Sequence, residues 1–159
     1  EKIQERRKRH HSAGVKVKGI ENILVRFSKC CNPVPGDEIM GYITKGRGVS
    51  IHRRDCPNVA DLMTEEERMI EVEWNKQVKE SYHADVEIRA NDRKGLLAEI
   101  TIIIDESKVN IVSFHSRTTK DKMAIINFIL EITDIDELNK LIRKFRKIEG
   151  VTDVFRAKQ

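Results

Sequence analysis

Tyr82-His-Ala-Asp-Val-Glu-Ile-Arg-Ala90, continuing as Asn91-Asp-Arg-Lys-Gly-Leu-Leu97, is the stretch on which the fold turns. Up to Ala90 its period is two. Tyr82, Ala84, Val86, Ile88 and Ala90 fall on one side, and His83, Asp85, Glu87 and Arg89 on the other. That alternation predicts a strand with one buried and one solvated face. After Gly95 the period changes, and Leu96, Leu97, Ile100, Ile103 and Ile104 recur at helical spacing.

Toward the C-terminus, residues 109–119 and 123–132 read as a hairpin around Lys120-Asp121. Asp134 with Glu137 three positions later resembles a capping box. Ile135, Leu138, Leu141, Ile142, Phe145 and Ile148 form the apolar stripe of a second helix, which Gly150 ends before a last strand over 151–155. The order β-α-β-β-α-β predicts a ferredoxin-like domain over 81–159. Lys140, Arg143, Lys144, Arg146 and Lys147 crowd the end of the second helix, where they suit its dipole or offer an RNA contact.

Toward the N-terminus, polar residues 75–81 read as a boundary. Upstream lies a β-rich pattern. Val15-Lys-Val-Lys-Gly19 alternates, 23–27 is a short apolar run, and Cys30-Cys-Asn-Pro-Val-Pro-Gly36 breaks any regular element. Residues 38–44 and 49–52 are paired strands around a tight turn at Gly46-Arg-Gly48, Pro57 opens a short helix through Leu62, and 69–74 alternates again as one strand. Residues 1–14 show no apolar periodicity and read as a linker or the end of a preceding helix. The expectation is α+β: a small β-rich domain over 15–75 and a ferredoxin-like one after it.

Composition narrows the setting. The 159 residues suffice for two small domains, and the charge-rich opening without an initiator Met resembles a cut through a longer protein. No apolar run approaches the roughly 20 residues that span a bilayer, and no signal-peptide pattern is present, so no membrane role is expected. Three cysteines, two of them adjacent, do not make a disulfide framework and favour a cytoplasmic setting. The net charge is +4, with cations gathered in the N-terminal half.

Two constellations carry chemistry. Cys30, Cys31, His52 and Cys56 are four ligands of the types Zn²⁺ prefers, so a structural zinc is one reading. The other is that the cysteines are small buried groups and His52 sits on a polar surface or meets RNA. Cys30 and Cys31 can ligate jointly only if the backbone turns between them. The second constellation is Lys45-Gly-Arg-Gly48, with Lys29, His52, Arg53 and Arg54 as further candidates for RNA phosphate. A mixed solvated surface is the plainer account. Neither a P-loop nor a nucleophile–base–orienter set appears, so this stretch is not read as an enzyme.

Val25-Arg-Phe-Ser-Lys-Cys-Cys-Asn-Pro-Val-Pro-Gly-Asp37, Gly41-Tyr-Ile-Thr-Lys-Gly-Arg-Gly-Val-Ser-Ile-His52 and Asp55-Cys-Pro57 resemble the ribosome-intersubunit, or zinc-finger, domain of the long RelA/SpoT homologues. Asn91-Asp-Arg-Lys-Gly-Leu-Leu97 resembles an ACT domain, and the two in this order resemble the C-terminal region of that family. The resemblance implies a parent that is a GTP pyrophosphokinase of the stringent response, with or without (p)ppGpp hydrolysis, whose catalytic domains lie upstream. It implies partners too: ribosomal RNA and tRNA on the ribosome, and the catalytic domains that this region regulates allosterically. For the ACT domain it implies an amino-acid site, with a branched-chain ligand and a homodimer as candidates. Asn91, Asp92, Lys94, Gly95, Leu96 and Leu97 would form it, with Asn110 and Ile111 facing them from the next strand. The alternative is an amino-acid-sensing, self-associating pair of domains that does not touch RNA.

Overall fold

A computed structural model describes residues 14–20, 23–76 and 79–157, so the expectation for residues 1–14 lies almost wholly outside the described residues. The described residues fall into two compact units, one extending to Glu80 and the other spanning Ser81–Ala157. No described helix is long and apolar enough to cross a membrane.

In the first unit the strands are β1 (Val15–Val17), β2 (Val25–Phe27), β3 (Ile39–Ile43), β4 (Val49–Arg53), β5 (Met69–Ile70) and β6 (Val72–Trp74). A one-turn helix α1 (Val59–Leu62) and a 3₁₀ turn (Glu66–Arg68) lie between β4 and β5. The main sheet runs β2-β4-β3-β5, with β2 parallel to β4, while β1 and β6 form a separate antiparallel ribbon. The alternating stretch 69–74 is therefore two strands. Ile70 pairs with Gly41 in the main sheet, Val72 pairs with Val17 in the ribbon, and the carbonyl of Glu71 between them takes the amide of Lys18.

The main sheet buries both faces, because side chains alternate across it. Val25, Ile39, Val49 and Ile51 pack with Val15 and Val17 of the ribbon, and Phe27 stacks on Trp74 at 5.7 Å. Gly41 makes that packing possible: a Cβ there would stand 2.8 Å from both Ile70 and Val72. On the opposite face Met40, cross-strand from His52, packs with Cys31, Cys56 and Val59.

Gly46 and Gly48 close the β3–β4 hairpin, both with positive φ, but their surroundings differ. A Cβ on Gly46 meets nothing within 4 Å, whereas one on Gly48 would stand 2.1 Å from the Leu24 carbonyl oxygen, which accepts the amide of Val49. Gly46→Ala is expected to cost about 1–2 kcal/mol of left-handed strain. Gly48→Ala is expected to cost about 3 kcal/mol or more, since it adds a backbone clash at a sheet hydrogen bond. Urea midpoints of the two variants check this, and equal losses would contradict it.

The second unit comprises β7 (Tyr82–Asn91), α2 (Leu96–Glu106), β8 (Ile111–Thr118), β9 (Met123–Ile132), α3 (Ile135–Arg146) and β10 (Val151–Arg156), in the expected order. Its antiparallel sheet runs β10-β7-β9-β8. Tyr82, Ala84, Val86, Ile88 and Ala90 are buried with Ala124, Ile126, Phe128, Leu130 and Ile132, and the apolar faces of α2 and α3 complete that core. Two side chains depart from the alternation. Asp85, expected on the solvated face, is 7% exposed and accepts from the Asn127 amide at 3.1 Å. Leu97, expected in the α2 stripe, is 38% exposed. Asp134 caps α3 by accepting the amide of Glu137, but the Glu137 carboxylate takes the Thr133 hydroxyl, so only half of the box is reciprocal.

Candidate metal centre

Three segments converge on the thiol face of the first unit. After β2 the chain turns sharply: the Ser28 carbonyl accepts the amides of Cys31 and Asn32, and Asn32 takes a left-handed φ of 44°. This is the turn that adjacent cysteines require, and it sends Cys30 and Cys31 to one side. Asp37 holds the Pro33–Pro35 segment by accepting the Val34 amide at 2.8 Å. Strand β4 contributes His52, and the turn after it contributes Cys56, whose amide bonds the Arg53 carbonyl.

The four donor atoms are within 4.8 Å of one another. Cys30 Sγ stands 3.4 Å from His52 Nδ1, 3.5 Å from Cys56 Sγ and 3.9 Å from Cys31 Sγ, and Cys31 Sγ stands 3.9 Å from the same Nδ1. A tetrahedral Zn²⁺, with Zn–S about 2.3 Å and Zn–N about 2.0–2.1 Å, spaces its ligand atoms about 3.6–3.8 Å apart. Three soft sulfurs and one imidazole nitrogen at these separations fit a structural site and leave no position open for chemistry. Burial pushes the Cys31 thiol up and the His52 imidazole down from their ordinary values. His52 is thereby favoured in the neutral form a ligand needs, while the sulfur of Cys31 must give up its proton to a metal. The backbone amide of Arg53 points at Cys31 Sγ, 3.3 Å away, and supports charge on that sulfur.

The cationic candidates divide. Arg53 is 7% exposed and His52 8%, so neither presents itself to a large polyanion. Arg53 instead bridges Asp55, at 2.6 Å, to the Cys31 carbonyl, and so braces the cysteine turn. Lys29, Lys45, Arg47 and Arg54 are exposed. They lie in two groups, because Ile43 pairs with Val49 at the hairpin end of β3–β4 and Ile39 pairs with Arg53 at the other. Lys45 and Arg47 occupy the hairpin tip. Lys29 and Arg54 flank the cluster end, roughly 13–17 Å away along the strands. Arg54 shares a groove with Lys16, Lys18, Glu71 and Glu73, where Lys18 already pairs with Glu71 at 2.8 Å. Tyr42 is unavailable for stacking on a base: it is buried, its hydroxyl donates to Glu65, and Arg68 lies over its ring.

In the second unit the β7–α2 junction is exposed at Asn91, Asp92, Lys94, Gly95 and Leu97, while Leu96 is buried in the core. Two junction amides are already used, Asn91 on the Gly150 carbonyl and Asp92 on that of Lys122. The register corrects the expected partnership with Asn110 and Ile111. Ala90 pairs with Ala124 and thence Thr118, but Ile111 pairs with Leu130, which lies opposite Ala84. Within one chain Asn110 and Ile111 therefore sit at the far end of the sheet, roughly 20 Å from the junction they were expected to face.

Comparison with known proteins adds to this geometry. Residues 15–75 match the RelA/SpoT RIS domain, and residues 78–156 match the ACT domain. A GTP pyrophosphokinase of Streptomyces coelicolor is 41% identical over 152 residues, which is 94% of this chain and 18% of that protein. The bifunctional (p)ppGpp synthase/hydrolase RelA of Mycobacterium tuberculosis is 43% identical over 143 residues, 90% of this chain and 19% of that protein. A GTP pyrophosphokinase of Escherichia coli is 39% identical over 144 residues, 89% of this chain and 19% of its own length. The chain thus spans about a fifth of the length of these relatives. Among solved structures, the ACT domain from a Chlorobium tepidum GTP pyrophosphokinase is 28% identical with a TM-score of 0.45, covering 48% of this chain and 99% of its own.

Proposed function

The chain carries the RelA/SpoT RIS domain followed by an ACT domain, and from that premise we propose that it is a regulatory region of a longer cytoplasmic (p)ppGpp-metabolising enzyme. In this reading the first unit contacts ribosomal RNA and tRNA on the ribosome and relays that contact to catalytic domains elsewhere in the same protein. The parent makes (p)ppGpp as a GTP pyrophosphokinase, with or without hydrolysing it. The observation that supports this best is the RIS match over 15–75, the span that contains both the thiol cluster and the exposed hairpin.

Cys30, Cys31, His52 and Cys56 hold Zn²⁺ in this proposal. The ion acts as a crosslink that fixes the cysteine turn against β4, and no reaction passes through it. Lys29, Lys45, Arg47 and Arg54 supply the RNA contact. Cations in two groups roughly 13–17 Å apart suit a polyanion that carries phosphates along that whole span. Without stacking from Tyr42, recognition rests on phosphates and shape. Co-sedimentation with ribosomes at two ionic strengths tests the proposal. Association at low salt that is lost at high salt is expected, and absent or salt-indifferent association would remove it.

A second reading, amino-acid sensing with self-association, has its own observation. Edge strand β8 is exposed over almost its whole length, with Phe114 at 55% and Val112 at 43%. Because Asn110 and Ile111 lie far from their own junction, an amino-acid site using both is complete only when a second copy brings its β8 alongside. Phe114→Glu is then expected to give a monomer that no longer binds leucine, isoleucine or valine by calorimetry. A variant that keeps wild-type sedimentation, or a monomer that binds, would dismiss this reading.

A further inference from the structure

Ser28 appears in none of the ligand sets above, yet it bonds both to the cysteine turn and to the histidine ligand. Its amide bonds the Ile51 carbonyl, tying it to β4 one residue before His52. Its carbonyl accepts the amides of Cys31 and Asn32 and so makes the turn that aims both cysteines. Its hydroxyl stands 2.9 Å from His52 Nε2, on the side of the ring away from the sulfurs. Only Nδ1 faces Cys30 and Cys31.

The two nitrogens of a neutral imidazole are not independent. For Nδ1 to offer its lone pair to a cation, the ring proton must be on Nε2, and a partner that accepts from Nε2–H fixes both tautomer and ring orientation. Among the described residues no other side-chain hydrogen-bond partner of His52 Nε2 is present, and the side chain of the adjacent Arg53 is bonded to Asp55.

We propose that Ser28 is a positioning residue of the metal centre. Its Oγ accepts the Nε2–H of His52, holds the ring in the tautomer that presents Nδ1, and so couples the cysteine turn to the histidine ligand. This rests on the reading that Cys30, Cys31, His52 and Cys56 bind a cation. It extends that reading by one residue that supplies no ligand atom.

The test uses the full chain, with Zn²⁺ and Co²⁺ as probes, titrated against a chromophoric chelator. Ser28→Ala removes only the hydroxyl and leaves the backbone bonds that shape the turn. It is expected to weaken metal binding about tenfold or more, within the range for loss of an outer-shell partner. Ser28→Thr, which keeps a hydroxyl, should restore affinity to near wild type. In the zinc-loaded protein, long-range ¹H–¹⁵N spectra of the His52 ring should show an Nε2–H that exchanges slowly with solvent in wild type and fast in Ser28→Ala, because the hydroxyl that accepts it is gone. Wild-type affinity in Ser28→Ala, failure of Ser28→Thr to rescue, or an Nε2–H exchange rate indifferent to the substitution would each overturn the assignment. Absence of metal binding in the wild-type chain would instead remove the metal reading itself, so the two failures are distinguishable.

Discussion

Alanine at Lys29, Lys45, Arg47 and Arg54 together is expected to flatten the salt dependence of RNA binding and abolish most of the affinity at low salt. Each cation that neutralises a phosphate releases counterions, and the logarithm of the binding constant falls with that of salt by about 0.7–0.9 per contact. Four lost contacts should make the slope shallower by about 3–4. Between 50 and 200 mM salt the wild type should then lose about 100-fold more affinity than the variant. Arg53→Ala separates surface charge from structure. Arg53 is buried, bonded to Asp55 and to the Cys31 carbonyl. Its loss should weaken binding only in proportion to damage at the cysteine turn, with an unchanged slope in the folded fraction. A quadruple variant that keeps the wild-type slope would place the RNA contact elsewhere.

Metal removal is expected to unfold the first unit and spare the second. The first unit has strands of two to five residues and a helix of four, and its apolar side chains are split between the ribbon face and the thiol face. Below about 70–80 residues a single core rarely supplies more than about 3–5 kcal/mol, whereas structural zinc in small domains contributes about 10–16 kcal/mol of apparent binding energy. Chelation should therefore leave that unit unfolded at room temperature. The second unit has ten-residue strands, two helices and a buried set of its own, from Val86 and Ile88 to Phe128 and Phe145. Trp74, the chain's one tryptophan, reports on the first unit, where it stacks on Phe27 and donates to the Asp37 carbonyl. Chelation should shift its emission to that of exposed indole while far-ultraviolet dichroism keeps the signal of the second unit. An unmoved Trp74 spectrum after complete chelation would contradict a structural metal.

The second unit was largely legible in the sequence because its elements are long and each carries one clean period. Ten alternating residues in β7 and the 135–148 stripe leave little room for another fold. Legibility ended where tertiary pairing decides. Residues 69–74 alternate without interruption, and only the competition of β1 and β3 for the same strand splits it at Glu71. Arg53 reads as a surface cation, since arginine is rarely buried unless paired, and its partners were the neighbouring Asp55 and a carbonyl 22 positions away. The distance of Asn110 from Asn91 follows from antiparallel register, which local patterns do not carry. In the cluster the ligand types were visible, but the turn that reconciles Cys30 with Cys31 rests on Ser28 backbone bonds, and a serine before a cysteine pair gives no distinctive signal.

A cation ties the cysteine turn to β4 in the proposed role of the first unit, and the most direct measurement of it is the mass of the intact, natively sprayed chain after purification without chelator. One zinc ion per chain is predicted in the wild type, with none retained in Cys31→Ser. A wild-type chain that carries no metal, and takes up none when supplied with zinc, would contradict it.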